Sequence, residues 1–204
     1  MRRLFASALL LLLIICAPAF GQERDLQLTI GVVNQASCRA NAGTDMLQLT
    51  LKLRYTNAGS RKLILYRGNR LFYQVFVSRS REDALARRFE MYTTHSRYFD
   101  EQPEKISAAH PGGVFVTLPP GASYETRQVI AVPVAREAAS RVNVAIPPGE
   151  HVVNIVTSTW YESRKLAEEL RERWSPRGFL WVDPVGSDFA AFTVDNVRAA
   201  AVCQ

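Results

Sequence analysis

Residues 47–56 read LQLTLKLRYT, and this stretch decides the fold. Its apolar and polar side chains alternate without interruption. A helix would scatter the apolar side chains around its circumference, whereas a strand places all of them on one side. The stretch therefore predicts a β-strand with one buried face and one polar face.

Similar patterns recur along the chain, separated by turns rich in Gly, Pro and Asn. The spacing of these turns is typical of a β-sandwich. Segment 71–77 carries apolar residues on both faces, which predicts a central or covered strand. The further predicted strands are 26–32, 62–66, 71–77, 87–93, 114–118, 124–134, 151–160 and 189–197.

One segment departs from this pattern, at about residues 161–174. Leu166, Leu170 and Trp174 recur every four residues among charged ones, which predicts an amphipathic helix inserted between strands. Its apolar stripe is long enough to dock on a sheet end, or alternatively to present a partner-binding face. The predicted fold class is mainly β: an antiparallel β-sandwich with one inserted helix.

The N-terminus has the pattern of a secretory signal peptide. Arg2 and Arg3 precede an apolar run over residues 4–16, and Ala19-Phe20-Gly21 follows with small residues at −3 and −1. The run is about 13 residues long, whereas a membrane span needs about 20. We therefore expect residues 1–21 to be a signal peptide, residues 22–204 to form a single domain without a transmembrane segment, and the protein to be periplasmic or secreted.

Export bears on the cysteines, because disulfides persist in oxidising compartments. Cys38 and Cys203 remain once residues 1–21 are removed. Two cysteines in an exported protein usually pair, so we expect a Cys38–Cys203 disulfide; two free thiols are the alternative. The bond would require the first and last elements of the domain to lie side by side.

No pattern in the sequence points to metal, cofactor or nucleophile chemistry. His95, His110 and His151 do not stand at metal-ligand spacing, and His151 is expected to be exposed at a strand start. A Gly-x-Ser-x-Gly motif is absent from the sequence. The net charge of +6 comes mainly from dispersed arginines, without the aromatic-interleaved basic block that binds single-stranded nucleic acid. We expect no metal, no cofactor and no nucleic-acid partner.

Aromatic residues are the stronger candidates for binding. They gather in the irregular region 78–113 and around the predicted helix. Exposed, they would form a carbohydrate platform or a protein-binding hot spot; buried, they would fill the mouth of the sandwich. The candidate binding residues are Phe89, Tyr92, Tyr98, Phe99, Trp174 and Trp181.

Three longer runs together resemble a family of exported domains. They read LQLTLKLRYTNAGSRKLILYRGNRLFYQVFV from residue 47, LPPGASYETRQV from residue 118 and IPPGEHVVNIV from residue 146. In these runs the chain is similar to bacterial exported immunoglobulin-like domains, of the telokin-like and BsuPI-type proteinase-inhibitor kinds. The resemblance implies an immunoglobulin-like sandwich; segment 78–113 and the predicted helix depart from the pattern.

Export, a sandwich fold and candidate aromatic contacts favour a non-enzymatic binding or interaction module of the periplasm or cell envelope, with a protein or envelope component as partner. One alternative is an inhibitor of an exported protease, presenting a rigid protruding loop. The other is a small hydrolase with a site formed by the 78–113 and 161–186 loops. The hydrolase requires a histidine within hydrogen-bond reach of a carboxylate or hydroxyl group in a cleft.

Overall fold

The computed structural model describes residues 25–40, 44–68, 71–95, 114–135, 145–159, 164–196 and 201–203. The predicted signal peptide, at residues 1–21, lies outside this part of the chain. The strands are β1 (Leu26–Arg39), β2 (Asp45–Asn57), β3 (Leu63–Tyr66), β4 (Phe72–Ser78), β5 (Glu90–His95), β6 (Phe115–Leu118), β7 (Ser123–Pro133), β8 (Gly149–Ser158), β9 (Phe179–Leu180), β10 (Val185–Gly186) and β11 (Ala190–Val194). The helices within these ranges are α1 (Arg81–Leu85) and α2 (Arg164–Trp174).

The strands form three sheets. The first has the order β1-β2-β7, the second β10-β8-β4-β5 with β11 also on β8, and the third β6-β3-β9. All pairings between named strands are antiparallel except that of β3 with β9. The protein is therefore mainly β with antiparallel sheets, an arrangement compatible with the predicted sandwich.

The prediction for residues 47–56 is confirmed. Leu47, Leu49, Leu51, Leu53 and Tyr55 are all buried in β2, and their polar neighbours are at least partly exposed. Strand β4 is central, between β8 and β5, as its two apolar faces predicted. The buried faces of both strands contribute to one hydrophobic core.

Strand β1 is longer than predicted and connects the first sheet to the second. Its register on β2 shifts between Val32 and Asn34, which marks a β-bulge. On its other side, Leu28 bridges Ser187, and the Ile30 amide donates to the Asp188 carboxylate over 3.0 Å. The bulge interrupts the period-two pattern, which explains why the sequence prediction ended at residue 32.

The predicted disulfide is present. Cys38 and Cys203 are bonded, with their Cα atoms 4.9 Å apart. Beside them Arg39 and Val202 form a parallel bridge, with hydrogen bonds from the Arg39 amide to the Ala201 carbonyl and from the Cys203 amide to the Arg39 carbonyl. The first strand and the last described residues thus lie side by side, as the pairing required.

Asn57, at the end of β2, is a fully buried polar residue that joins three segments. Its side-chain amide donates to the Arg61 and Leu118 carbonyls, each over 2.8 Å, and its side-chain oxygen accepts from the Gly59 amide over 3.1 Å. One side chain therefore satisfies backbone groups of the β2–β3 turn and of β6.

Gly68, in the β3–β4 connection, is held between β4 and β7. The Tyr73 hydroxyl donates to its carbonyl over 2.6 Å, and its amide donates to the Tyr124 hydroxyl over 3.1 Å. Burial raises the pKa of the Tyr73 phenol, so the hydroxyl keeps the proton that it donates. A Cβ at position 68 would clash with the Thr126 side chain, with the hydroxyl oxygen as its nearest atom, which explains the glycine.

We expect Gly68→Ala to lower the free energy of unfolding by about 2 kcal/mol, because the added methyl group overpacks the contact with Thr126. Gly31→Ala is the matched control, since nothing lies within 4 Å of a Cβ there. Urea denaturation of both variants measures the difference. Equal stabilities of the two variants would contradict the packing argument.

The predicted helix exists as α2, and its C-terminal half packs on the core. Leu170 and Trp174 are buried, and the Trp174 ring meets Phe115 edge-on at 4.7 Å between ring centres. At least these two residues of the apolar stripe therefore pack against the rest of the domain.

Among the described residues, no helix has the length and apolar character needed to cross a membrane.

Candidate ligand-binding cavity

A cavity of about 500 Å³ lies where the second sheet ends. Two stretches that are distant in sequence form its walls: residues 77–90, from the end of β4 through α1 to the start of β5, and residues 145–151, which lead into β8. Its lining residues are Val77, Ser78, Arg79, Asp83, Arg87, Arg88, Phe89, Glu90, Ala145, Ile146, Pro147 and His151.

The floor is formed by the inner face of the second sheet, the face on which Val75, Val77, Val153 and Ile155 are buried. Val77 pairs with Val153 across β4 and β8, and His151 lies two residues further along the same face. Ser78 follows Val77 on the opposite face. His151 is therefore a buried polar side chain that the sheet places on the cavity floor.

His151 is 3% exposed, so the expectation of an exposed histidine is wrong. The alternation of β8 begins earlier than predicted and places His151 on the buried face with Val153. Its Nε2 lies 2.8 Å from the Pro147 carbonyl oxygen, which can only accept, so Nε2 carries the proton. Nδ1 has no hydrogen-bond partner within the described residues, and the ring stacks on Phe192.

The wall at residues 145–147 is fixed to the first sheet. Ile146 forms a parallel bridge with Val134, just beyond β7. Its amide donates to the Pro133 carbonyl, and its carbonyl accepts from the Ala135 amide, each over 2.9 Å. These bonds tie Ile146, and with it this wall of the cavity, to the end of β7 in the first sheet.

The opposite wall is built by α1, which sequence analysis did not predict. The Ser80 hydroxyl caps this five-residue helix by accepting from the Asp83 amide over 3.1 Å. Arg88 then reaches back, with its Nε and a terminal nitrogen 2.8 and 2.6 Å from one Asp83 oxygen. That hydrogen bond lowers the pKa of Asp83, so the carboxylate stays charged.

The rim of the cavity is charged, with exposed arginines and partly exposed carboxylates. Arg79, Arg87 and Arg88 contribute three positive charges, and Asp83 and Glu90 contribute two negative ones. Glu90 lies directly opposite Val77 in the β4–β5 register, on the inner face. The cavity therefore combines apolar walls, a buried histidine and a rim with a small excess of positive charge.

One of the six predicted aromatic binding residues lines the cavity. Phe89 is 39% exposed on its rim and meets Phe76 edge-on at 4.7 Å between ring centres. Tyr92, on β5, is half-buried against the core, and burial together with the charge of Glu90 raises its pKa. Tyr98 and Phe99 lie outside the described residues.

The two predicted tryptophans belong to a separate cluster around α2. Trp174 is buried with the Arg177 guanidinium 5.0 Å from its ring centre, and Trp181 is half-buried, with its Nε1 donating to the Asp183 carbonyl over 2.9 Å. Between them the Arg61 guanidinium covers Phe179 at 3.5 Å. These contacts pack the cluster within the domain, and a binding role for Trp174 or Trp181 stays a prediction.

The residues around His151 bear on the hydrolase hypothesis. Of the three histidines only His151 has a described side chain, and its one hydrogen bond within the described ranges goes to a backbone carbonyl rather than to a carboxylate or hydroxyl group. His95 and His110 have no described side chains, so their part in a site is untested. In the described ranges, no three His, Cys, Asp or Glu side chains gather to hold a metal ion.

Sequence reasoning missed most of the cavity. The arginines at 79, 87 and 88 carry no motif, and His151 was expected to be exposed although it is buried. The one local signal was Ser80 before Glu82 and Asp83, which is the pattern of a helix start with acidic residues in the first turn.

Comparisons with known proteins leave the cavity as the main guide to function. No protein-family model matches the chain, and no curated protein or solved structure matches it significantly.

Proposed function

We propose that this protein is an exported, non-enzymatic binding module of the periplasm or cell envelope, with an immunoglobulin-like sandwich as its scaffold. Its ligand site is the cavity between β4, α1, residues 145–147 and β8. The Cys38–Cys203 disulfide supports the assignment to an oxidising compartment. The signal-like N-terminus and the strand-and-turn resemblance support export and the immunoglobulin-like scaffold.

The observation that carries the binding role is the construction of the cavity. Its volume of about 500 Å³ falls within the range of about 300–1,000 Å³ that is typical of small-ligand sites. A buried polar group usually has a hydrogen-bond partner, and the His151 Nδ1 has none in the described part of the chain. The Nδ1 atom is itself covered by its neighbours, so a ligand in the cavity would meet the other lining groups first.

A cavity-filling variant tests this role. We expect a fragment screen by ligand-observed NMR to give hits on the wild-type protein that are lost in Ala145→Phe, because the larger ring occupies the cavity beside Ile146. Ala131→Phe is the matched control, since Ala131 is exposed on β7 and does not line the cavity. Thermal melting confirms that both variants fold.

Hits that survive in Ala145→Phe would assign binding to another surface and overturn the cavity as the site. An absence of hits on the wild-type protein would overturn the binding role itself.

A further inference from the structure

We infer that the ligand is a small organic anion, with a carboxylate or phosphate group on an apolar body. This inference rests on the proposed function and adds the chemical class of the ligand. It places the anionic group at the arginine rim and the apolar body against the walls formed by Val77, Phe89 and Ile146.

The first argument is the pairing of charges on the rim. Asp83 is neutralised by Arg88, at 2.6 Å between nitrogen and oxygen, and the charge of Arg79 lies close enough to lower the pKa of Asp83 further. The Arg87 guanidinium forms no ion pair or hydrogen bond with any side chain in the described ranges. A planar guanidinium binds a carboxylate or phosphate group through two parallel hydrogen bonds.

The second argument is the backbone of Arg87. It has φ of +59°, and it is the single non-glycine residue with positive φ in the described part of the chain. The position follows the C-cap of α1, where glycine is the usual residue because it adopts this conformation without strain. Arginine at position 87 therefore lowers the stability of the fold relative to glycine. Its guanidinium lines the cavity, so a binding role would account for an arginine at this position.

The apolar walls supply the other half of the recognition. Ile146 and Val77 are buried beside the cavity, and Phe89 presents an exposed ring at its rim. Apolar contact of this kind binds the body of a ligand, while a few placed polar groups fix its orientation. An inorganic anion would use the rim and leave these walls uncovered.

Glu90 provides a control of opposite charge for the role of Arg87 in anion binding. Its carboxylate lines the same cavity and forms no ion pair within the described residues, so it opposes an anionic ligand. Removing that charge should strengthen anion binding, whereas removing Arg87 should weaken it. A site for a cationic or neutral ligand predicts the reverse or no change.

The experiment is an NMR or calorimetric titration of the full protein with three probes: 4-phenylbutyrate, its neutral amide, and phenyl phosphate. We expect wild-type protein to bind at least one acid about tenfold more tightly than the amide. A difference of this size corresponds to one charge-assisted hydrogen-bonded pair between arginine and the acid. Glu90→Gln should increase the affinity for that acid about threefold. High salt should reduce it.

Arg87→Gly separates a binding role from a structural one. The variant should melt about 2–4 °C higher, because strain at a positive φ is relieved, and should lose the preference for the acid. A higher melting temperature with an unchanged preference would overturn the assignment of Arg87 and the anion inference with it.

The outcomes distinguish this inference from the proposed function. Equal affinities for acid and amide would overturn the anion class but not the proposed binding cavity. Screening hits that are all neutral or cationic would do the same. Preference for the carboxylate or for the phosphate would identify the anionic group. Failure of every probe together with an empty fragment screen would overturn both.

Discussion

Removing the Cys38–Cys203 disulfide is expected to lower the free energy of unfolding by about 5 kcal/mol. The bond closes a loop with a sequence separation of 165 residues. On the chain-entropy model, a crosslink that spans so much of the chain removes a large number of unfolded conformations, and a loop of about 100 residues already corresponds to about 4.7 kcal/mol. We expect the backbone hydrogen bonds beside the disulfide to persist in the variant, so the loss reflects the crosslink itself.

The measurement compares wild-type protein with Cys38→Ala/Cys203→Ala by urea denaturation, each with and without a thiol reductant. Reductant should destabilise the wild-type protein as much as the double substitution does, and should leave the double variant unchanged. Intact mass of the protein recovered from the periplasm of an expression host checks the bond and the export proposal together. The expected chain begins at Gln22 and is lighter by two hydrogens; a loss of stability below about 2 kcal/mol would contradict the entropic account.

Asn57→Ala is expected to lower the free energy of unfolding by about 4 kcal/mol. Its amide is the hydrogen-bond donor to the Arg61 and Leu118 carbonyls, and its oxygen is the acceptor for the Gly59 amide. Each backbone group left without a partner in a buried site costs about 1–3 kcal/mol. The side chain is fully buried, and its hydrogen bond to Leu118 is buried with it, whereas the bonds to Arg61 and Gly59 are partly buried.

Asn57→Asp should be more destabilising at neutral pH, because a buried carboxylate would face two carbonyl oxygens to which it cannot donate. Urea denaturation of both variants tests these expectations. Asn34→Ala, at an exposed position of β1, is the matched control and should change stability by less than about 0.5 kcal/mol. A change below about 1 kcal/mol for Asn57→Ala would show that the three segments hold together without this side chain.

The strands could be predicted where their pattern is local. The alternation of β2 required no knowledge of its neighbours, because five buried side chains on one face have a period that only a strand provides. The pattern failed where the backbone changes register. At the bulge of β1 the period slips, so the residues beyond Val32 read as irregular although they pair with β2 as far as Arg39.

The cavity could not be predicted, because it depends on which distant segments meet. His151 and Val77 share a face only through the pairing of β4 with β8, and Ile146 reaches them only through its bridge to Val134. Phe89 was found because aromatic rings are conspicuous in a polar stretch. Arg87 has no such signal in sequence, since its significance comes from a positive φ and a position on the rim.

The two-sided pairing of β1 has a consequence for how the chain acquires its structure. One side of the strand pairs with β2, which follows it directly, whereas the other side contacts Ser187, Asp188, Thr193 and residues 201–203. Contacts between such distant parts of a chain are slow to form, because a long loop must close before they stabilise anything. The second side of β1 therefore stays unpaired during synthesis until residues near 200 have emerged. A chain that ended before that point would keep an exposed strand edge through which it could aggregate.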